Sequence, residues 1–375
     1  MNDAPLLIRN IRLTNENGVS RIVADVDGLP VWYESSDVEM QLRGEVFACA
    51  FLLPAMKRGA GLHIEGVSLS PLWLENSKQV MERFSTWWGY TPIEITCNGA
   101  YHPVGAMNET SHTGLFFTGG VDSFYSLLCS GEQIDDLVYV HGFDSALADQ
   151  TRLEDARQHL SQIATGLGRR LLLLKTNLRE HPLIRGMEWV RTHGGALASA
   201  AYTLPNIQRM IISSSYAVGF MVPCGSHPEI DPFWSDEQRM FVHFGTNAQR
   251  REKLEAIADH PLVMRHLRVC WKHPGRPDNC CRCEKCMRNM LLLDSLGKLT
   301  SFEAFPSRRG LMWRAFQVSG ITPSLFPNYN YWITLCPRWQ TRLAIRIMLA
   351  RSWLRNQKKA ISKGIVQRVR AFVQK

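Results

Sequence analysis

The sequence predicts an α/β protein built on a parallel sheet with helices on both faces. From Gly114 onward, short apolar runs alternate with amphipathic stretches in a β-α-β-α rhythm, the pattern of parallel strands joined by crossover helices. A second observation is Phe116-Phe117-Thr118-Gly119-Gly120-Val121-Asp122-Ser123, where a strand, a sharp turn and a helix meet. The third is a change of character at both ends. Residues 1–105 read as an N-terminal α+β unit, 106–300 as the parallel-sheet domain with a cysteine cluster, and 301–375 as a basic helical region.

In the N-terminal unit, Arg21–Asp25 and Leu29–Trp32 flank Val26-Asp27-Gly28, whose Asp-Gly pair predicts a hairpin. Glu45–Lys57 and Ser77–Trp88 read as helices and Ile93–Thr96 as a strand. No residues in this part have ligand spacing, and the pair Trp87-Trp88 is read as core or interface. In the next part, Leu115–Phe117 is a strand, Val121–Leu128 a helix and Leu137–Val140 a buried strand. Leu153–Leu167 follows as an amphipathic helix, Leu171–Leu174 as a strand and Ala196–Leu204 as a small-residue helix. Met210–Ile212 runs into Ser213-Ser214-Ser215, and Phe241–Phe244 is the last strand.

In open α/β sheets ligands bind beyond the carboxyl ends of the strands. That rule singles out Thr118–Ser123, His141–Asp144, Thr176-Asn177 and Ser213–Tyr216. At the first of these, two glycines permit a sharp turn and a close backbone approach. The unpaired N–H groups that open the following helix then favour an anion. The plain alternative is a glycine turn before a core helix, with Ser123 as a local cap.

Between the last two strands lies Pro223-Cys224-Gly225-Ser226-His227-Pro228-Glu229-Ile230-Asp231-Pro232, a polar segment broken by Pro and Gly. Ser213, Ser226, His227 and Asp231 are candidate substrate contacts, and His193-Gly194-Gly195 reads as the opening of a helix and a second anion site.

Cys270, Cys280, Cys283 and Cys286 form C-x9-C-x2-C-x2-C, with Pro274, Gly275 and Pro277 in the intervening loop. Short Cys-x-x-Cys turns present pairs of thiolates at the reach that tetrahedral Zn²⁺ requires. Reduced unliganded thiols and an iron–sulfur cluster are the alternatives. Cys281 competes with Cys280 for the fourth position, and His273 is a further candidate.

The net charge of +9 is unevenly placed. From Ala304 to the end there are fourteen Lys and Arg and no Asp or Glu, which leaves 29 basic and 34 acidic residues before it, a balance of −5. In the tail, Arg338, Arg342 and Arg346 recur beside an apolar stripe of Trp339, Leu343, Ile347, Ala350 and Leu354. Such a helix suits an anionic membrane surface, RNA phosphates, or packing on the acidic body. Because these charges stand on an otherwise acidic chain, truncation after Asn330 is expected to leave catalysis largely intact and to weaken binding to anionic vesicles or RNA. Ten cysteines, no signal-type leader and no apolar run of about eighteen residues point to a reducing, cytoplasmic setting without a spanning helix. Oligomeric state is not legible.

Thr118-Gly119-Gly120-Val121-Asp122-Ser123 resembles the pyrophosphate-binding loop of the PP-loop ATP pyrophosphatases, usually written Ser-Gly-Gly-x-Asp-Ser. The resemblance implies an adenine-nucleotide α-hydrolase-like, Rossmann-like domain. It also implies cleavage of ATP between the α and β phosphates, with AMP passed to a substrate oxygen. Thr118 replaces the usual serine and keeps its hydroxyl. By position, Phe117 to Ser123 would hold the nucleotide: Gly119, Gly120 and Ser123 the β and γ phosphates, with Asp122 helping to place Mg²⁺ or fixing the loop, and His141 beside the adenine. Asp122 and Ser123 would be the catalytic pair.

With the cysteine cluster following, residues 114–296 are similar to the 7-cyano-7-deazaguanine synthases of queuosine biosynthesis. Those are ATP-dependent, amidating ligases with a structural zinc. The cysteine segment also resembles a broader group of PP-loop proteins with an added N-terminal part. The expected activity is therefore adenylation of a small-molecule carboxylate followed by attack of ammonia or an amine. A tRNA-modifying thiolase and a nucleotide-binding regulator without turnover are the alternatives. For sulfur transfer, Cys129 and Cys224 are the cysteines placed for it.

Overall fold

The computed structural model describes residues 4–100, 111–270, 279–307 and 310–373, with side chains described up to Ser362 apart from Ala360. The chain forms two compact units where the sequence suggests three segments. The first comprises Met1–Thr118 and Asp122–Ala248, the second Gly119–Val121 and Gln249–Lys375.

Among its described residues the first unit carries ten strands: β1 (Leu6–Glu16), β2 (Val19–Val26), β3 (Leu29–Ser35), β4 (Leu62–Ile64), β5 (Ile95–Cys97), β6 (His112–Phe116), β7 (Asp136–His141), β8 (Arg170–Thr176), β9 (Ile207–Ser213) and β10 (Met240–Phe244). They make a single mostly parallel sheet in the order β10-β9-β6-β7-β8-β3-β2-β1-β4-β5. Strands β6 to β10 are parallel, as their uninterrupted apolar runs predict. The N-terminal strands continue this sheet, because β3 pairs antiparallel with β8. The join uses two polar residues at the end of β8. Thr176 Oγ donates to the Trp32 carbonyl at 2.7 Å, and Asn177 Oδ1 accepts from the Trp32 N–H at 2.9 Å. Thr176 and Asn177, singled out as sheet-edge ligand candidates, are thereby engaged by β3. Hydrophobic pattern identifies strands but not which edge takes an antiparallel neighbour.

Both hairpins of the N-terminal part turn on residues with positive φ. They are Asn17-Gly18 at 51° and 75°, and Asp27-Gly28 at 51° and 86°. Such a pair matches the twist of the flanking strands, so the register locks at Glu16↔Val19 and Val26↔Leu29. The helices of this unit are α1 (Glu45–Arg58), α2 (Pro71–Trp88), α3 (Val121–Cys129, whose first residue groups with the second unit), α4 (Gln150–Gly166), α5 (Pro182–Arg185) and α6 (Trp189–Tyr202). Helix α2 starts earlier than the apolar spacing suggests, because Ser70 accepts from the Trp73 N–H and Pro71 fills the first helical position.

Helix α6 also starts earlier, which removes one expectation. His193-Gly194-Gly195 lies inside α6 and offers no helix N-terminus to an anion. A Cβ at Gly194 would overlap the Gly225 carbonyl, and one at Gly195 the Cys49 carbonyl. The two glycines are there for close packing.

The second unit continues with α7 (Arg250–Ile257), α8 (Pro261–His266), α9 (Glu284–Ser295), α10 (Leu311–Gln317), α11 (Phe326–Leu335) and α12 (Trp339–Val373). The first half of α12 is not an appendage. It buries Thr341, Ala344, Ile345, Met348 and Ser352 against this unit, and Thr341 Oγ donates to Asp294 of α9 at 2.6 Å. In α11, Tyr329 and Trp332 are buried, and the Tyr329 hydroxyl donates to Glu284. Truncation after Asn330 would expose this core. At about 1.5–3 kcal/mol for each large apolar side chain, the loss exceeds what a marginally stable domain tolerates. We expect the truncated chain to lose the cooperative melting of the second unit and to aggregate; an unchanged melting curve would refute the packing argument. No helix among the described residues is long and apolar enough to cross a membrane.

Candidate functional site

The strand order β9-β6-β7 is a reversal: the chain leaves β6 toward β7 and β8, then returns to the other side of β6 with β9. A crevice opens at the carboxyl ends of strands where the order reverses in this way. The segment Phe117–Ser123 leaves β6 at that place, and Ser213-Ser214 leaves β9 beside it. Gly119 has φ 71°, a left-handed conformation that few side chains tolerate. Its carbonyl accepts from the Arg268 N–H at 2.7 Å.

Helix α3 begins at Val121, so Asp122 and Ser123 stand in its first turn, half-buried and buried respectively. Ser123 Oγ accepts from the Thr118 N–H at 3.4 Å, which ties the start of the loop to the first turn of α3. Phe117 stacks edge-on against Phe124 at 5.1 Å and Tyr125 lies on Phe244 at 5.9 Å, which fixes α3 on its face of the sheet.

His141, at the end of β7, is fully buried with both ring nitrogens engaged. Nε2 lies 3.1 Å from the Leu147 carbonyl and Nδ1 3.1 Å from Ser145 Oγ. Burial pushes its pKa down, so the ring is neutral: Nε2–H donates to the carbonyl and Nδ1 accepts from the hydroxyl. It holds the loop after β7 and presents no free atom to an adenine.

The four expected substrate contacts fall into two places. On β9 and β10, Ile212 pairs with His243 and Ser213 with Phe244. Side chains alternate along a strand, so Ser213 shares the α3 face with Phe244 while His243 points to the other. Ser213 Oγ is buried without a hydrogen-bond partner among the described residues.

On the opposite face Ser226 and Asp231 meet His243, which the sequence reading passed over. Ser226 Oγ donates to Asp231 Oδ2 at 2.7 Å, and His243 Nδ1 donates to the same oxygen at 2.7 Å. Asp231 is fully buried and the His243 side chain is 3% exposed. Asp231 Oδ1 and His243 Nε2 have no partner among the described residues. The carboxylate takes the Nδ1–H and the Ser226 hydroxyl together, which orients the ring and holds the segment after β9 against β10.

Salt bridges around the same segment hold it in place. Arg43 spans Glu45 at 3.1 Å and Asp236 at 2.5 Å, tying the stretch after Asp231 to the start of α1. His227 has a supporting part: Nδ1 accepts from the Glu229 N–H and the ring packs edge-on against Trp87 at 4.8 Å. Cys224 is buried, its thiol pushed up to about 11 chiefly by that burial, and it donates to the Ser226 carbonyl.

In the second unit the sulfur atoms of Cys270, Cys280, Cys283 and Cys286 all lie within 4.8 Å of one another. Cys270 and Cys283 approach to 3.8 Å, as do Cys280 and Cys286. A tetrahedral site with metal–sulfur bonds of about 2.3 Å has sulfur–sulfur edges of about 3.8 Å, so the set is compatible with zinc. Cys283 caps α9, and the N–H groups of Cys283 and Cys286 point at the sulfurs of Cys280 and Cys283 at 3.3 and 3.4 Å.

Cys281 is outside the set. Its φ of 53° turns the side chain away, and its buried thiol donates to the Asn279 carbonyl. Asn279 was not foreseen either, although it staples the cluster. It accepts from the Val269 and Cys270 N–H groups and donates to the Leu267 and Ala304 carbonyls, all between 2.7 and 3.1 Å. His273 and the prolines of the intervening loop lie outside the described residues. No family model, no curated protein and no solved structure matches this chain.

Proposed function

We propose that this chain is a PP-loop ATP pyrophosphatase that adenylates a small-molecule carboxylate and joins it to nitrogen, in the manner of the 7-cyano-7-deazaguanine synthases. One observation carries the reading: the segment Thr118–Ser123 leaves the central parallel strand where the strand order reverses, with Gly119 in a left-handed turn and α3 beginning directly after it. Thr118, the glycine N–H groups and Ser123 hold the β and γ phosphates. Asp122 is the carboxylate in reach of Mg²⁺, which is typically bound by one or two carboxylates together with substrate phosphates. When bound, that ion neutralises charge on the departing pyrophosphate.

The substrate carboxylate attacks the α-phosphorus in line. The P–O bond to the β phosphate breaks, and an acyl-adenylate and pyrophosphate result. Ammonia or an amine then attacks the acyl carbon, AMP leaves with the C–O electron pair, and the nitrogen sheds a proton. That proton passes to solvent. The four cysteines hold a structural zinc that takes no part in the chemistry.

Sulfur transfer is the less supported reading, since the Cys224 thiol is buried and pushed up to about 11 and the exposed Cys129 thiol is also raised by desolvation, the reverse of an activated thiol. The test is incubation of the whole chain with ATP, Mg²⁺ and a panel of carboxylates. AMP with pyrophosphate supports the proposal; ADP, or no turnover with any of them, refutes it.

A further inference from the structure

Helix α12 has two apolar faces, and the fold covers one of them. Thr341, Ala344, Ile345, Met348 and Ser352 are packed inside the second unit. On the other side Trp339, Leu343, Ala350, Leu354 and Ile361 succeed one another at steps of four and seven residues, one continuous stripe along a helix. Trp339, Trp353, Leu354 and Ile361 each expose more than half of their surface, and Leu343 exposes 42%.

Arg342, Arg346, Arg351 and Lys358 border the stripe and are exposed, as is Lys359 farther round the helix. None of them has a carboxylate partner among the described residues, whereas Arg338 is paired with Asp294. No acidic residue follows Glu303 in the sequence. A helix with this make-up buries its apolar stripe at the boundary of headgroups and acyl chains while its cations meet anionic lipid.

We propose that the outer face of α12 docks this protein, lying flat, on an anionic lipid surface. RNA would satisfy the cations and stack on the tryptophans, but it would leave Leu343, Leu354 and Ile361 with nothing to cover them. Lipid covers both kinds of group. The length of α12 is consistent with this: it is too polar to span a bilayer, yet 35 residues long.

The test is sedimentation of the full chain with vesicles, without ATP, so that its outcome is independent of the catalytic proposal. The vesicles are phosphatidylcholine alone, or phosphatidylcholine with about one-third phosphatidylglycerol. Binding is expected to the anionic vesicles and not to the neutral ones, with a measurable part surviving about 0.5 M salt through the apolar contact. The double substitution Trp353→Glu with Leu354→Glu, at exposed positions, should weaken it at least about tenfold at an unchanged melting temperature. If that variant melts lower, the triple substitution Arg342→Gln, Arg346→Gln and Arg351→Gln replaces it and must weaken anionic-vesicle binding comparably. No binding to anionic vesicles, or binding indifferent to these substitutions, overturns the proposal. So does a single-stranded RNA that strips the chain from vesicles and binds it with full sensitivity to salt, which would make the face an RNA surface.

Discussion

Replacing Asp122 or Ser123 by alanine is expected to abolish carboxylate-dependent pyrophosphate release while the protein stays folded. Both residues stand in the first turn of α3, which begins two residues after the left-handed Gly119. On the proposed reading the N–H groups that open α3 face the pyrophosphate, and charge building up on a leaving group is stabilised most by donors and cations already in place. Loss of one such group typically costs about 10²–10³-fold in rate. On that reading the effect for Asp122 should be at the upper end, because the substitution removes the carboxylate proposed to bind Mg²⁺. Neither change opens a large cavity: Asp122 is only half-buried, and Ser123 loses one oxygen and its weak bond to Thr118. Pyrophosphate release and melting temperature measured on the same preparations test this. Wild-type turnover in both variants would remove the loop from the active site.

The largest effect on stability should come from Cys283→Ser or Cys286→Ser. Each is expected to abolish binding of about one zinc ion per chain and to lower the melting temperature of the second unit far more than an exposed substitution does. Cys270 meets the Cys280–Cys286 turn from a separate stretch, and Asn279 bonds to the backbone on both sides of that junction. Cys286 is wholly buried at the start of α9, and Glu284 beside it anchors Tyr329. Losing the metal should therefore loosen α9 and then α11. Structural zinc is worth about 10–16 kcal/mol in small domains, which far exceeds an average core substitution. Cys281→Ser is the control, expected to keep the metal and lose only a buried contact. Elemental analysis and calorimetry decide: iron in place of zinc, or a folded metal-free protein, would refute the assignment.

Much of the parallel sheet was legible because its signals are local. A buried strand needs only its own apolar run, and Leu137–Val140, Leu171–Leu174 and Met210–Ile212 all fall inside observed strands. The loop and the four cysteines were legible for the same reason, since each motif is set by near neighbours. Strand β1 was missed although Asn17-Gly18 marks its hairpin as clearly as Asp27-Gly28 marks the next. Its half-exposed, interrupted pattern gives no clean alternation. The start of α6 was missed because Gly194 and Gly195 look like a helix opening when only the neighbouring Gly225 and Cys49 carbonyls explain them.

The sequence by itself determined the class of fold, the turn at Thr118–Ser123, the grouping of cysteines and the segregation of positive charge into the last seventy or so residues. Each of these is a property of composition or of short-range backbone geometry. Only the tertiary structure decided that the N-terminal strands extend the sheet, that Cys280 rather than Cys281 completes the cluster, and that Asp231 meets His243. It also decided which face of α12 is packed. The periodicity of α12 allows either apolar stripe to face inward, and the choice falls to the helices it meets. These are long-range pairings, fixed by burial and by the need to satisfy buried polar atoms, and no pattern within one segment encodes them.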